Sequence, residues 1–247
     1  MKIFVISLLR TQNRRTSIKE QLDNQNIKFE FFDAIDGHKE PNHPLFANYN
    51  YTKRLWFSNG RMPSKGELGC YASHYLLWKK CIKMNQPILI IEDDVRVSRS
   101  LKEFLIDIEK QTLKYGFLRL EPKTDRCNLY NVEKKQKYKI DFMDNNFGGT
   151  LSYSISPETA RKLINGSRRW CMPVDNYIGS VYIHKVYSYL FSPSIVSNPH
   201  EFETTIQLGQ EENAATYRKP TRELYSLYRR VRLKITNTII IKKKIHE

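Results

Sequence analysis

Pro87-Ile88-Leu89-Ile90-Ile91-Glu92-Asp93-Asp94 joins four aliphatic residues to three consecutive carboxylates. A short apolar run rich in β-branched residues reads as a strand buried on both faces, as in parallel sheets. Ionised groups inside such a strand would need partners. The acids therefore emerge at its carboxyl end, where open α/β sheets bind their ligands. Crowded carboxylates raise one another's cost of ionising. A divalent cation removes that conflict, and oxygen donors suit Mn²⁺ or Mg²⁺, metals that often bridge to substrate phosphates. The same acids also suit the N-terminus of a following helix, through its dipole, so the run alone leaves two readings open.

Outward from this stretch, strands and helices alternate. Ile3–Leu8 and Lys28–Phe32 read as strands, the second closed by Asp33 and the turn Asp36-Gly37. Arg10 to Asn24 suits a surface helix, with Ile18 and Leu22 four apart. Residues 38–63 lack a clear period and read as a long loop. Ser64-Lys65-Gly66-Glu67 and Ser100-Leu101-Lys102-Glu103 have capping-box spacing. Each opens a helix, one with Leu68, Tyr71, Tyr75 and Trp78 near one face, the other with Leu101, Phe104, Leu105 and Ile108. Phe117–Leu120, Leu151–Ile155 and Lys185–Leu190 read as further strands, and Lys123 to Lys139 as a basic loop or exposed hairpin. Ser156-Pro157 starts a helix that Asn165-Gly166 stops, and Asp175 to Ile183 suits another. This order implies an α/β body, with a mostly parallel Rossmann-like sheet and helices on both faces. The body spans 1–215, and the composition turns strongly basic in a tail over 216–247.

The chain has 247 residues and a formal net charge of +15, with a pI near 9.6. Anionic partners follow from that charge: nucleotides, nucleic acid or an acidic membrane surface. No nucleic-acid-binding motif is visible, and the three acids would repel a phosphate backbone, so nucleic acid is not expected as a partner. Cys70, Cys81, Cys127 and Cys171 form no Cys-x-x-Cys pair and no disulfide framework, which fits a reducing compartment. No segment is long enough to span a bilayer. There is neither a Walker loop nor a G-x-G-x-x-G fingerprint, so phosphates would be held by metal and scattered Lys or Arg. A sugar nucleotidyltransferase would also use metal and carboxylates, but with a Gly- and Lys-rich start that the first strand lacks.

Other residues carry chemistry with more than one reading. His74 faces a helix interior or a substrate. Gly148-Gly149-Thr150 is a turn or a close approach to a ligand. Asp175, after Pro173-Val174, is an N-cap or a general base. His200, in Asn198-Pro199-His200, is a loop histidine or a late metal ligand.

Taken in order, these pieces resemble the family 25 glycosyltransferases, typified by bacterial lipooligosaccharide galactosyltransferases. The matching segments are Val5-Ile6-Ser7-Leu8 with Arg10, Ala34-Ile35-Asp36-Gly37, and Gly66-Glu67-Leu68-Gly69-Cys70 with Ser73-His74 and Trp78. They continue with Ile90-Ile91-Glu92-Asp93-Asp94-Val95, Gly149-Thr150 with Tyr153-Ser154-Ile155-Ser156, and Pro173-Val174-Asp175, over residues 1–210. The resemblance implies a single-domain GT-A fold, a UDP-sugar donor, an oligosaccharide acceptor on a lipid anchor, and transfer of a hexose with inversion. Galactose is the first expectation and glucose the second. By the same resemblance Asp94 and Glu92 hold the metal, with His200 as a further ligand. Ser7, Leu8, Arg10, Asp36, Glu92 and Asp93 line the donor, while Gly149, Thr150 and His74 face the acceptor. Asp175 is the expected base.

The tail has its own pattern. Leu224, Leu227, Tyr228, Val231 and Ile235 recur at helical spacing. Residues 217–247 hold ten Lys or Arg against two Glu. A basic amphipathic helix reads as membrane-surface binding; together with the lipid-linked acceptor that the resemblance implies, this gives the expectation of a peripheral protein on the cytoplasmic face of a bacterial inner membrane. A helix packed on the catalytic body is the alternative.

Overall fold

The computed structural model describes residues 1–198 and 214–244. Its strands are β1 (Lys2–Ser7), β2 (Glu30–Asp33), β3 (Ile88–Glu92), β4 (Arg96–Val97), β5 (Phe117–Arg119), β6 (Leu129–Lys134), β7 (Lys139–Met143), β8 (Ser152–Ile155), β9 (Tyr189–Ser192) and β10 (Val196–Ser197). Its helices are α1 (Gln12–Asp23), α2 (Tyr51–Phe57), α3 (Lys65–Met84), α4 (Leu101–Tyr115), α5 (Pro157–Gly166), α6 (Val174–Gly179), α7 (Val181–His184) and α8 (Lys219–Lys244).

Eight strands form one sheet in the order β2-β1-β3-β8-β5-β9-β7-β6. β1 runs parallel to both β2 and β3, and β5 parallel to β9. β8 lies antiparallel between β3 and β5, and β7 antiparallel between β9 and β6. Six of the eight strands therefore share one direction, with β8 and β7 reversed. β4 and β10 make a separate antiparallel pair.

The sheet is buried on both faces because alternate residues feed two cores. Phe4 and Ile6 of β1, with Ile88 and Ile90 of β3, pack under Trp78 of α3 and Leu163 of α5. Ile3 and Val5, with Leu89 and Ile91, pack on the other side against Ile18 of α1 and Ile108 of α4. Continuous apolar runs in β1 and β3 are the sequence signature of this two-sided burial. Ser64 caps α3, its hydroxyl accepting the Glu67 N–H at 3.0 Å. Ser100 precedes α4 in a helical backbone conformation and makes no such bond.

Several local readings are corrected. Residues 38–63 are not one loop: a 3-10 turn over Pro44–Asn48 leads into α2, which Asn50 caps by accepting the Lys53 N–H. The basic stretch after 123, by contrast, takes the second of its two readings, as the edge hairpin β6–β7. The last long strand starts at Tyr189 rather than Lys185, because Lys185 closes α7 with φ 58°. Among the described residues no helix is long and apolar enough to cross a membrane.

Candidate active site at the carboxyl ends of the parallel strands

β1, β2 and β3 end side by side, with Ser7 opposite Asp33 and Ile6 opposite Glu92. Their carboxyl ends open into a cleft of about 680 Å³. Ser7, Leu8, Arg10, Asp36, His74, Glu92, Asp93 and Asp94 all line it. One strand edge thus gathers residues that are distant in sequence, as expected where parallel strands end.

The three acids have different surroundings. Asp93 faces inward: its Oδ2 accepts from Ser7 Oγ at 2.6 Å and Thr11 Oγ1 at 2.9 Å. Arg14 Nη1 reaches its Oδ1 at 3.4 Å. This carboxylate ties the end of β1 and the first turns of α1 to β3. Arg14 also lies 3.5 Å from Asp94 Oδ2, so one guanidinium sits between two acids. Asp94 Oδ1 is buried with no hydrogen-bond partner. Burial, and then the Glu92 charge, push the Asp94 carboxyl up to about 6. For Glu92 burial acts upward too, but the His74 ring, the Thr150 hydroxyl and Arg14 outweigh it and hold its carboxyl below the usual range.

A relay of side chains orients Glu92. Thr150 Oγ1 donates to Glu92 Oε1 at 2.6 Å, and His74 Nε2 lies 3.4 Å from the same oxygen. Behind the imidazole, the Tyr153 hydroxyl is 2.9 Å from His74 Nδ1 and accepts from Trp78 Nε1 at 2.9 Å. Indole N–H is donor-only. The Tyr153 hydroxyl thus bridges Trp78 and His74 and holds the imidazole with its Nε2 edge toward Glu92. His74 acts on the site through Glu92.

Arg10 Nε donates to Asp36 Oδ2 at 2.8 Å, and the His38 amide to Asp36 Oδ1 at 3.1 Å. Burial pushes Asp36 up, yet these contacts leave its carboxyl below the ordinary range. The loop that carries Asp36 rests on α3, since the Ile35 amide donates to Ser73 Oγ at 2.9 Å. Gly69 permits that approach: a Cβ there would lie 2.2 Å from the Ile35 carbonyl oxygen.

On the far side stands Asp175, in the first turn of α6. It accepts from the Asn176 amide at 2.7 Å and from the Gly149 amide. Burial raises its carboxyl, and the Glu92 charge adds to the rise. The Cys70 thiol lies between these acids; burial, then Glu92 and Asp175, push it well up, so it stays protonated. Gly149 has φ +83°, and a Cβ there would meet Arg119 Nη2 and Glu121 Oε2 at 2.8 Å. The positive φ is what favours glycine here, since both close atoms are ends of flexible side chains.

Of the expected site residues, Ser7, Leu8, Arg10, Asp36, His74, Glu92, Asp93 and Asp94 line the cleft, Thr150 bonds to Glu92, Gly149 bonds to Asp175 outside the lining, and His200 lies outside the described residues. Four contributors were not foreseen. Thr11 and Arg14 brace Asp93; Arg14 follows Arg10 by four residues, the one signal that could have exposed it. Arg119 Nη2 and Glu121 Oε2 pair at 3.4 Å beside Gly149, and burial pushes the Glu121 carboxyl up to about 8. Nothing in the sequence around Phe117–Leu120 marks them.

Cys70, His74 and Glu92 place a sulfur, a ring nitrogen and a carboxylate oxygen within 4.8 Å of one another. In and beside this cluster, Glu92 and Asp94 offer carboxylate oxygens that face the cleft. Such hard donors match Mn²⁺ or Mg²⁺.

The model of glycosyltransferase family 25 (LPS biosynthesis protein) matches residues 1–178. The chain belongs to glycosyltransferase family 25. As a member of that family it resembles the lipooligosaccharide biosynthesis protein lic2B of Haemophilus influenzae, 32% identical over 187 residues, covering 71% of this chain and 65% of lic2B. It resembles the mouse procollagen galactosyltransferase 2 at 30% identity over 191 residues, 73% of this chain but 30% of the mouse protein. A glycosyltransferase 25 family member of Anopheles gambiae is 28% identical over 196 residues, 71% of this chain and 31% of that protein. The chain thus spans under two thirds of these relatives' lengths. The matched region contains every residue lining the cleft, and Asp175 as well.

Proposed function

We propose that this cleft transfers a hexose, galactose first, from a UDP-sugar to a hydroxyl of an oligosaccharide acceptor, with inversion. The observation that carries the reading is Asp94: a buried, unpartnered carboxylate oxygen just after β3, beside an oriented Glu92. Galactose and a lipooligosaccharide acceptor are suggested by the names of the mouse and Haemophilus relatives.

In a single displacement the acceptor oxygen bonds to the anomeric carbon as that carbon's bond to the diphosphate breaks. The hydroxyl proton passes to a base, and the diphosphate leaves with more negative charge. Asp175 is the base: its raised carboxyl pKa makes it a better proton acceptor than an exposed aspartate. Asp94 and Glu92 would hold a divalent cation, whose chemistry is to neutralise charge on the departing diphosphate. Thr150 and His74 keep Glu92 in one orientation, which fixes that anchor before substrate arrives. Arg10, held by Asp36, and the Ser7-Leu8 turn line the nucleotide end.

The test is a panel of nucleotide sugars, with and without Mn²⁺, scored for UDP release with and without a lipooligosaccharide acceptor. Acceptor-dependent release from UDP-galactose, lost on chelation, with the product anomer inverted by NMR, is the expected result. Faster turnover of UDP-glucose would reassign the sugar. Pyrophosphate in place of UDP, or no release from any donor, would overturn the reading.

A further inference from the structure

Helix α8 is mounted on the body by its polar side. Thr221 Oγ1 donates to the Trp56 carbonyl at 2.7 Å and Arg222 Nη1 to the Asn59 carbonyl at 2.8 Å. Arg229 lies over the Phe147 ring at 5.4 Å, and Asn237 Nδ2 donates to the Asp144 carbonyl. Thr236, Asn237 and Ile240 are buried. The helix packs on α2 and α7, beside the loop that leads to Gly149 and Thr150.

Its apolar stripe points the other way. Leu224 is 68% exposed, Leu227 52%, Val231 47%, Ile235 52% and Ile239 59%, with Tyr228 among them. Spacings of three and four put all six on one side of the helix. The stripe continues into aromatic groups of the body. Tyr228 stacks with Tyr225 at 5.8 Å, Tyr225 meets Phe57 edge-on at 5.9 Å, and Trp56 meets Tyr217 at 5.9 Å. Trp56, Phe57 and Tyr217 are themselves exposed. A contiguous exposed apolar surface of this kind marks a contact site.

Charge identifies the occupant. Arg232, whose guanidinium lies 5.7 Å from the Tyr228 ring centre, borders the stripe on one side and Lys234 on the other. Arg230 and Lys242 are exposed nearby. Glu223 is the single acid of α8, and Lys219 lies 3.8 Å from it. A second copy of the chain would bring these cationic borders against each other, and a nucleic acid offers no apolar slab for the stripe. An anionic lipid surface satisfies both parts, taking aliphatic side chains below the headgroups, cations among the phosphates and aromatics at the boundary.

We propose that the outward stripe of α8, with Trp56, Phe57 and Tyr217, is a docking surface for an anionic lipid bilayer. The helix lies in the interface plane and does not span the membrane. This stands on the surface alone and is independent of the transfer reading.

Trp56 supplies the direct probe, because it is exposed while Trp78 and Trp170 are buried. With the full chain and vesicles of phosphatidylglycerol and phosphatidylcholine, Trp56 emission shifts to the blue and is quenched by brominated lipid. Trp56→Phe removes that signal without removing binding. Leu227→Asp combined with Val231→Asp weakens co-sedimentation by about a hundredfold, since each lost apolar contact and each added like charge opposes binding. Arg232→Gln with Lys234→Gln weakens it by roughly fivefold per charge, fading in high salt. Circular dichroism and thermal melting confirm that each variant is folded. Equal co-sedimentation of the wild type and the Leu227/Val231 variant, or no change in Trp56 emission, overturns the proposal. So does a concentration-dependent dimer that the same variant dissolves, with no vesicle binding by the wild type.

Discussion

The acidic cleft and helix α8 handle charge in opposite ways. In the cleft, carboxylates sit at the end of a buried strand, and a specific donor explains almost every oxygen. Asp93 has Ser7, Thr11 and Arg14; Asp36 has Arg10; Glu92 has Thr150. The exception is Asp94 Oδ1. On α8, Arg230, Arg232 and Lys234 stand in water and share the surface with uncovered aliphatic side chains. The formal charge of +15 describes the second region and conceals the first. A group buried without a partner points to chemistry, whereas exposed groups at regular spacing point to a surface.

That contrast can be broken most forcefully inside the acid triplet. Asp94→Asn is expected to lower metal-dependent turnover by about a thousandfold or more, because several kcal/mol of transition-state stabilisation go with the charge. Its melting temperature should not fall, since burial and the Glu92 charge oppose the lost charge more than Arg14 at 3.5 Å favours it. Near-normal turnover in Mn²⁺ would show that the unpartnered oxygen has no role in the reaction. Asp175→Asn is expected to cost about 10²–10⁴ in turnover while calorimetry shows donor binding kept; the opposite split would make Asp175 a donor contact.

Asp93 sharpens the comparison by its adjacency. Asp93→Ala leaves Arg14, Ser7 and Thr11 facing a void, and breaking such a buried pair costs about 3–5 kcal/mol. Urea unfolding should register that loss in the midpoint. A midpoint within experimental error of wild type would mean that the brace contributes nothing to stability.

His184 tests burial outside the cleft. Its Nε2 donates to the Tyr177 carbonyl at 2.9 Å and its Nδ1 accepts the Val186 N–H at 3.0 Å, so the neutral ring is fully paired. Burial pulls its pKa from 6.5 down to about 4. The folded state therefore resists the proton that the unfolded chain accepts. Stability is complete above pH 6.5 and falls as the pH drops toward 4, by about 3 kcal/mol in all. In thermal melts this slope should vanish in His184→Asn; an unchanged slope would assign it to other groups. The smallest effect belongs to α8: Leu227→Asp with Val231→Asp should shift unfolding free energy by no more than about 0.5 kcal/mol per site. A larger loss would show that the stripe supports the fold after all.

Much of the parallel half of the sheet was legible in the chain. β1 and β3 are continuous apolar runs whose burial follows from composition. The acids could only follow β3, and Ser64 capped its helix as spacing predicted. The order of the short segments was also enough to indicate the family. Other features depend on contacts between distant residues. The reversal of β8 and β7 follows from strand neighbours, which no local pattern specifies. Helix α2 was hidden in a polar, aperiodic stretch. Arg119 and Glu121 meet Gly149 only because β5 lies beside β8.

Two decisions show why tertiary structure was needed. Glu92-Asp93-Asp94 reads as one run of acids, yet at the end of β3 Asp93 meets Ser7, Thr11 and Arg14 while an Asp94 oxygen is left without a partner. Periodicity in α8 identifies an apolar side, and the ordinary expectation is that such a side is buried. Here Tyr225, Arg229, Leu233, Asn237 and Ile240 face the body, because Phe147, Asp144 and α2 present rings and carbonyls that those side chains can meet. Local sequence determines which residues share a face. The partners assembled from the rest of the chain determine which face turns inward.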